Sequence, residues 1–289
     1  MERELWRIVS RTISQIDRRF PKGRYTHSVG RVVRVYLWAV LHDRPVSWAC
    51  VRANWRGVRP PARLPDQSRM SRRLRQTDTQ QFIQALAESF RTSDRPALLK
   101  VIDGMPLPVS RHSHDADATF GRGAGGLDRG YKLHAIYGSE PMPLAWQVHP
   151  LNVDERQVAA ELLPALQQEG YLLGDKNYDA NGVYDRAAQH GQQLVAARRY
   201  GPDRGLGHHR HSPWRLRSIA MLEGPSDFGR RLYEARRSIE TRFGNLASFG
   251  GGLTHLPPWV RGLLRVRLYV TAKLIVRAAR SLVQRRGAA

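Results

Sequence analysis

The hydrophobic period of this chain changes at residue 98, and that change limits the architectures open to it. Upstream, apolar residues recur at helical spacing, predicting helices over 2–20, 30–41, 47–54 and 68–91, with Pro60, Pro61 and Pro65 forming a linker. Downstream the apolar runs are short: 98–103, 131–137, 144–149, 171–175 and 193–198 read as strands. Helices are expected at 154–169, 181–190, 231–246 and 260–286, the last one packing on the sheet, while the Gly/His/Arg-rich segment 200–228 reads as an irregular insertion. This alternation predicts an α/β layered sheet behind an N-terminal helical region. The expected divisions are 1–64, a helical linker at 65–97, and 98–289.

Charge divides the chain in a similar way. Lys and Arg total 47 against 25 Asp and Glu, a formal charge of +22. Residues 1–97 hold 20 basic and 8 acidic side chains, 98–198 hold 9 and 12, and 199–289 hold 18 and 5. Two cationic flanks around a mildly acidic centre point to a polyanionic partner gripped by the flanks, with chemistry in the middle. The single cysteine, Cys50, excludes a disulfide framework and a Cys-rich zinc site. No secretory signal is expected, because the start lacks a basic and then apolar segment. The longest uncharged stretch, 141–153, holds three prolines and is too short to span a bilayer, so a soluble intracellular protein is expected.

Two carboxylates stand out from the solvated background. Leu98-Leu-Lys-Val-Ile-Asp103 and Tyr171-Leu-Leu-Gly-Asp175 are apolar strands that each end on an acid, and ligands bind at the carboxyl ends of strands in open α/β sheets. On neighbouring parallel strands the two acids would emerge together, and their repulsion calls for a proton or a cation. Oxygen-only ligation favours Mg²⁺ or Mn²⁺; the alternative is a pair of Asp residues capping turns. A third acid, Glu240, follows Tyr233 and Arg236 at i, i+3 and i+7, which sets all three on one helical face.

These features together resemble the DDE transposases of bacterial insertion sequences, which carry a ribonuclease-H-like catalytic domain. The resemblance covers roughly 65–275 and rests on Ile102-Asp-Gly-Met-Pro-Leu-Pro108, Gly130-Tyr-Lys-Leu-His134, Leu173-Gly-Asp-Lys-Asn-Tyr-Asp179 and the Tyr-x2-Arg-x3-Glu helix of Tyr233–Glu240. It implies Asp103, Asp175 and Glu240 as catalytic, metal-binding acids for Mg²⁺ or Mn²⁺, with two ions expected. It also implies DNA contacts from Tyr233, Arg236, Arg242, Lys132 and Lys176. Ala247 stands where the related signature often places Lys, and Arg242 is the substitute phosphate contact. The implied reaction is cleavage at element ends and strand transfer into target DNA. The implied partners are double-stranded terminal repeats and target DNA, with a homodimer in the synaptic complex and no membrane. The expected location is the bacterial cytoplasm, at the nucleoid. Two alternatives are a catalytically inactive DNA-binding derivative and a metal-dependent nuclease on the same fold.

Other features have plainer readings. His208, His209 and His211 suit a phosphate-facing loop more than a metal tract, and His134 and His149 suit packed strand positions. Asp115, Asp117 and Asp128 are expected to be solvated in a Gly-rich loop that lacks a P-loop lysine, so no nucleotide site is expected. Trp6, Trp38, Trp48 and Trp55 are expected in a helical core, and 31–55 could form a helix-turn-helix.

Overall fold

Eleven helices and six strands are found among the described residues of the computed structural model, which are 2–287 apart from 22, 24, 92–96, 124, 202, 249–251 and 254. The end of the expected linker, 92–96, therefore lies outside them. Ahead of the sheet come α1 (Glu2–Arg19), α2 (Val29–Leu41), α3 (Val46–Ala49), α4 (Gln67–Leu74) and α5 (Thr77–Ser89). Then follow β1 (Leu99–Val109), β2 (Thr119–Gly123), β3 (Gly126–Tyr137), β4 (Ala145–Pro150), α6 (Glu155–Leu162), β5 (Gly170–Gly174), α7 (Asn181–Gln189) and β6 (Gln192–Ala196). The chain continues with α8 (Pro213–Glu223), α9 (Phe228–Glu234), α10 (Ser238–Ser248) and α11 (Leu263–Gly287). It forms two units that cut across the divisions expected along the sequence: 1–92 with 246–289, and 93–245.

The second unit is built on a mixed sheet. β1 pairs antiparallel with β3 and parallel with β5, and β5 pairs parallel with β6. The far edge of β3 is shared end to end, by β2 along 126–130 and by β4 along 131–136. One face, carrying Ile102, Ile136, Leu172 and Leu194, packs on Val158, Leu162, Tyr184 and Ala187 of α6 and α7. The other, carrying Val101, Ala135, Leu173 and Val195, packs on Ile239 with Met221, Leu232 and Phe243 from α8, α9 and α10. Strand alternation makes this two-sided burial possible. The result is the expected α/β architecture, a ribonuclease-H-like sheet flanked by helices with an N-terminal helical region.

Three expectations are corrected in this unit. β1 does not end at Asp103 but runs on to Val109, because β3 continues to pair with it after β5 has stopped. The Gly-rich loop contains β2 and the start of β3, joined at Gly126 (φ 122°), where only glycine sits without strain. Asp115 is buried there and accepts a 2.8 Å hydrogen bond from the Tyr131 hydroxyl. The insertion at 200–228 includes a real helix, α8, started by Pro213 directly after Ser212.

The first unit is a helical assembly around α2, eleven of whose thirteen residues are buried. Asp17 of α1 accepts from the Gly30 amide at 3.0 Å and the Ser28 hydroxyl at 3.2 Å, tying α1 to the start of α2. Trp6, Trp38 and Trp55 pack as expected, with ring centroids 4.9–5.9 Å apart. α11 packs on α1, α2 and α5, with Tyr269 and Lys273 both reaching Asp43. The expectation of a C-terminal helix laid on the sheet is thus corrected. The helix-turn-helix expectation also fails: α3 is a single four-residue turn, and α2 is a core helix with little surface for a groove. The helix expected over 68–91 breaks between α4 and α5 at Gln76, whose backbone is extended and whose side chain is held by Arg73.

Asp179 shows how α8 is fixed. Its side chain is only 1% exposed and accepts from Arg215 Nε at 2.7 Å, Arg215 Nη2 at 2.9 Å and the Arg199 amide at 2.9 Å. Burial alone would raise this carboxyl, but the Arg215 fork and the amide hold it below its ordinary value. Arg215→Ala strands a buried charge and should cost about 3–5 kcal/mol at neutral pH. A depressed carboxyl contributes its stability above the unfolded pKa of about 4 and loses it as pH falls through the folded value. The gap between wild type and variant should therefore shrink below pH 4 in urea titrations followed by circular dichroism.

Candidate active site

The β1–β5 register determines where the acids lie. Val101 pairs with Leu173, the last parallel pair, so Asp103 and Asp175 occupy equivalent positions two residues further on. Both follow the alternation of the face that packs on α9 and α10. Here β5 ends while β1 runs on beside β3, so the sheet opens at this point. Asp103 accepts from the Gly104 amide at 2.7 Å. Asp175 caps the 3-10 turn of Lys176–Tyr178, accepting from the Asn177 amide at 2.9 Å and from Asn177 Nδ2 at 3.0 Å.

Arg236 bridges to the third acid. The helix expected over 231–246 is broken into α9, a 3-10 turn at Ala235–Arg237, and α10, and Arg236 lies in that turn. Its guanidinium reaches Asp103 Oδ2 at 3.8 Å and Glu240 Oε1 at 3.7 Å. Ile239, fully buried against the sheet, fixes the start of α10. Glu240 itself leaves 68% of its side chain exposed, so it is free to swing. Among the described residues no three His, Cys, Asp or Glu converge closely enough to hold an ion. Asp103 and Asp175 nonetheless fit a hard divalent cation, being oxygen donors set side by side in a partly dry cleft.

The remaining expected residues divide by what they touch. The Tyr233 hydroxyl donates to the Gly174 carbonyl at 3.0 Å and accepts from the Ala197 amide at 3.4 Å, clamping the strand end next to Asp175. Arg242 donates to the carbonyls of Ser139 and Glu140, at 3.0 and 2.6 Å, and so braces the β3–β4 connection. Lys132 is buried and pairs with Glu155 at 2.7 Å. Lys176 is exposed beside Asp175.

Glu155 is the acid that sequence reasoning missed. It opens α6, where an acidic residue ordinarily complements the helix dipole, so no signal set it apart. In the fold it contacts Lys132 and lies 3.4 Å from Asn177 Nδ2, the same amide that reaches Asp175. Gly104 makes room for this: a Cβ there would come within 2.8 Å of Lys132 Cδ and 3.2 Å of Glu155 Oε1. The site is thus four acids against Arg236, Lys132 and Lys176.

Electrostatics follow from this crowding. Burial pushes the Asp103 carboxyl up to about 6, the Gly104 amide opposes the rise, and the charges of Asp175 and Glu155 add to it. Asp175 is raised as well, first by burial. His134 is lowered to about 3 by burial and by Lys132, and it is packed as expected of a strand histidine.

The chain matches the family described as the transposase DDE domain over residues 94–276, more than half its length, and it belongs to that family. No curated protein and no solved structure matches it.

A raised carboxyl binds its proton more tightly in the folded state, so it stabilises at low pH and costs stability as pH climbs from about 4 to 6. In metal-free buffer Asp103→Asn should therefore be more stable than wild type by roughly 2 kcal/mol at pH 8. That gain should vanish near pH 4. Equal melting temperatures at pH 8 would show that Asp103 bears no such cost.

Proposed function

We propose that this protein is a DNA transposase that cuts strands at element ends and joins them to target DNA. The observation that carries this reading is the pair of carboxylates, Asp103 and Asp175, at register-equivalent positions where the sheet opens, with Arg236 between Asp103 and Glu240. Membership of the DDE family supports it. Asp103, Asp175 and Glu240 are the residues that would hold Mg²⁺ or Mn²⁺, expected as two ions. When bound, such ions lower the pKa of an attacking water and neutralise charge at the scissile phosphate.

The chain's own residues supply the rest. Arg236 offers charge-assisted hydrogen bonds to non-bridging phosphate oxygens once Glu240 is released. Tyr233 keeps the end of β5, and with it Asp175, in place. Lys132 offsets Glu155 so that the acid cluster does not repel the DNA, and Lys176 faces solvent where a backbone would pass. Duplex grip is assigned to the basic unit, 1–92 with 246–289, which holds 27 basic against seven acidic side chains. A homodimer is expected in the synaptic complex, at work on the nucleoid. No described helix is long and apolar enough to cross a membrane.

An inactive DNA-binding derivative is the second reading. It is favoured by Arg236 occupying the space between two of the acids and by Ala247 at a position where related signatures often carry Lys. Metal-dependent turnover separates the two, and strand transfer separates a transposase from a nuclease. Asp103→Ala, Asp175→Ala or Glu240→Ala should each abolish cleavage and transfer while DNA affinity stays within a few fold. A single variant cutting at near wild-type rate removes that residue from the site.

Arg236→Ala should slow single-turnover cleavage of a pre-nicked element end by roughly ten- to a thousandfold, the scale of one lost charge-stabilising donor. Arg236→Lys should recover only part of this, since a point charge does not reproduce the fork. Unaltered rates would mean that this helix face takes no part in the chemistry.

A further inference from the structure

The basic unit contains a cavity of about 310 Å³ that the chemistry above leaves unused. Its walls come from α2, α3, α4, α11 and the segment leading into α11, all within 1–92 and 246–289. The floor is apolar, formed by the buried Ala39, Val40 and Leu268. At the rim stands Trp259, 41% exposed, unlike the buried tryptophans Trp6, Trp38 and Trp55. The charged residues lining the cavity are three arginines, Arg44, Arg75 and Arg265, all exposed, and no acid lines it. None of the three stands in an ion pair among the described residues. Arg75 is held along α4 by the Ser71 carbonyl and hydroxyl, at 3.1 and 3.0 Å, and so is braced without being neutralised.

A duplex backbone presents phosphates but nothing that would fill an apolar recess. A ligand matching this recess needs a planar, apolar-faced body and an anionic attachment. A nucleotide whose base has left the helix has both: the base stacks on an indole, and its flanking phosphates meet the arginines. We infer that this cavity receives one unpaired base of bound DNA, stacked on Trp259, with Arg44, Arg75 and Arg265 taking the adjoining phosphates. The inference rests on the reading of this chain as a DNA-acting protein, but it concerns binding alone and needs no cleavage.

The test is an anisotropy titration of the intact chain in EDTA. The probes are three labelled duplexes of one sequence: fully paired, with a single unpaired thymidine, and with an abasic site at that position. Wild type should hold the unpaired thymidine about tenfold tighter than the abasic duplex, the scale of one stacked base. That ratio should fall to about one in Trp259→Ala and in Ser71→Trp, which fills the recess from α4, and should return in Trp259→Phe. Free thymidine monophosphate should compete only weakly, because it lacks the second flanking phosphate. A wild-type ratio of one overturns the inference, as does a ratio that survives Ser71→Trp. Mononucleotide binding as tight as that of the bulged duplex would also overturn it, by making the site one for free nucleotides. Loss of cleavage in the Asp103, Asp175 or Glu240 variants leaves these ratios untouched, so failure here and failure of the transposase reading are seen separately.

Discussion

Three residue pairs between β1 and β5, Leu99 with Tyr171 through Val101 with Leu173, set the geometry on which the candidate site depends. A shift of one residue in that register would send one of the two carboxylates to the opposite face of the sheet. The cores on the two faces oppose such a slip: Ile102 and Leu172 are committed to α6 and α7, Val101 and Leu173 to the other side. Apolar packing thus holds two like charges where electrostatics alone would part them. The strain appears as raised carboxyls at Asp103 and Asp175, and Arg236 offsets part of it.

The separation of labour is sharper in space than along the chain. The unit built from 1–92 and 246–289 carries almost all of the net charge, whereas 93–245 has 20 basic and 18 acidic side chains. The final 44 residues contain no acid at all, and they join the N-terminal helices through α11. Near neutrality around the acids keeps their local field governed by Arg236, Lys132 and Lys176, while the other unit is free to be strongly cationic.

Legibility followed the range of the interactions. The strands carrying Asp103 and Asp175 were plain because their apolar runs and terminal acids lie within six residues of each other. The two-sided sheet followed from the order of elements. β2 was missed because glycines at 121, 123 and 130 are poor strand formers in isolation. They suit the strand only where a neighbour crowds in, as the Leu151 carbonyl does at Gly121. α8 was missed because Arg215, Arg217 and Ser218 blur its apolar stripe, and the buried Asp179 that receives Arg215 lies 36 residues earlier. Glu155 was invisible for a similar reason: its significance comes from Lys132 and Asn177, each about twenty residues away. The destination of α11 could not be read from its own pattern, since a helix apolar on several sides suits a bundle as well as a sheet.

The embrace of the first five helices by α11 has a consequence for how the protein comes into being. A ribosome releases 93–245 while α11 is still unmade, so the sheet can close around its acids early. The helices α1, α2 and α5 must meanwhile wait with an apolar seam uncovered until the last segment emerges. Synthesis therefore orders the two units in time: the one bearing the carboxylates matures first, and the cationic one is completed only as translation ends. A message cut short before α11 would yield a chain with its acids assembled and its cationic half unsealed, a species prone to clump or be degraded before it could hold a polyanion.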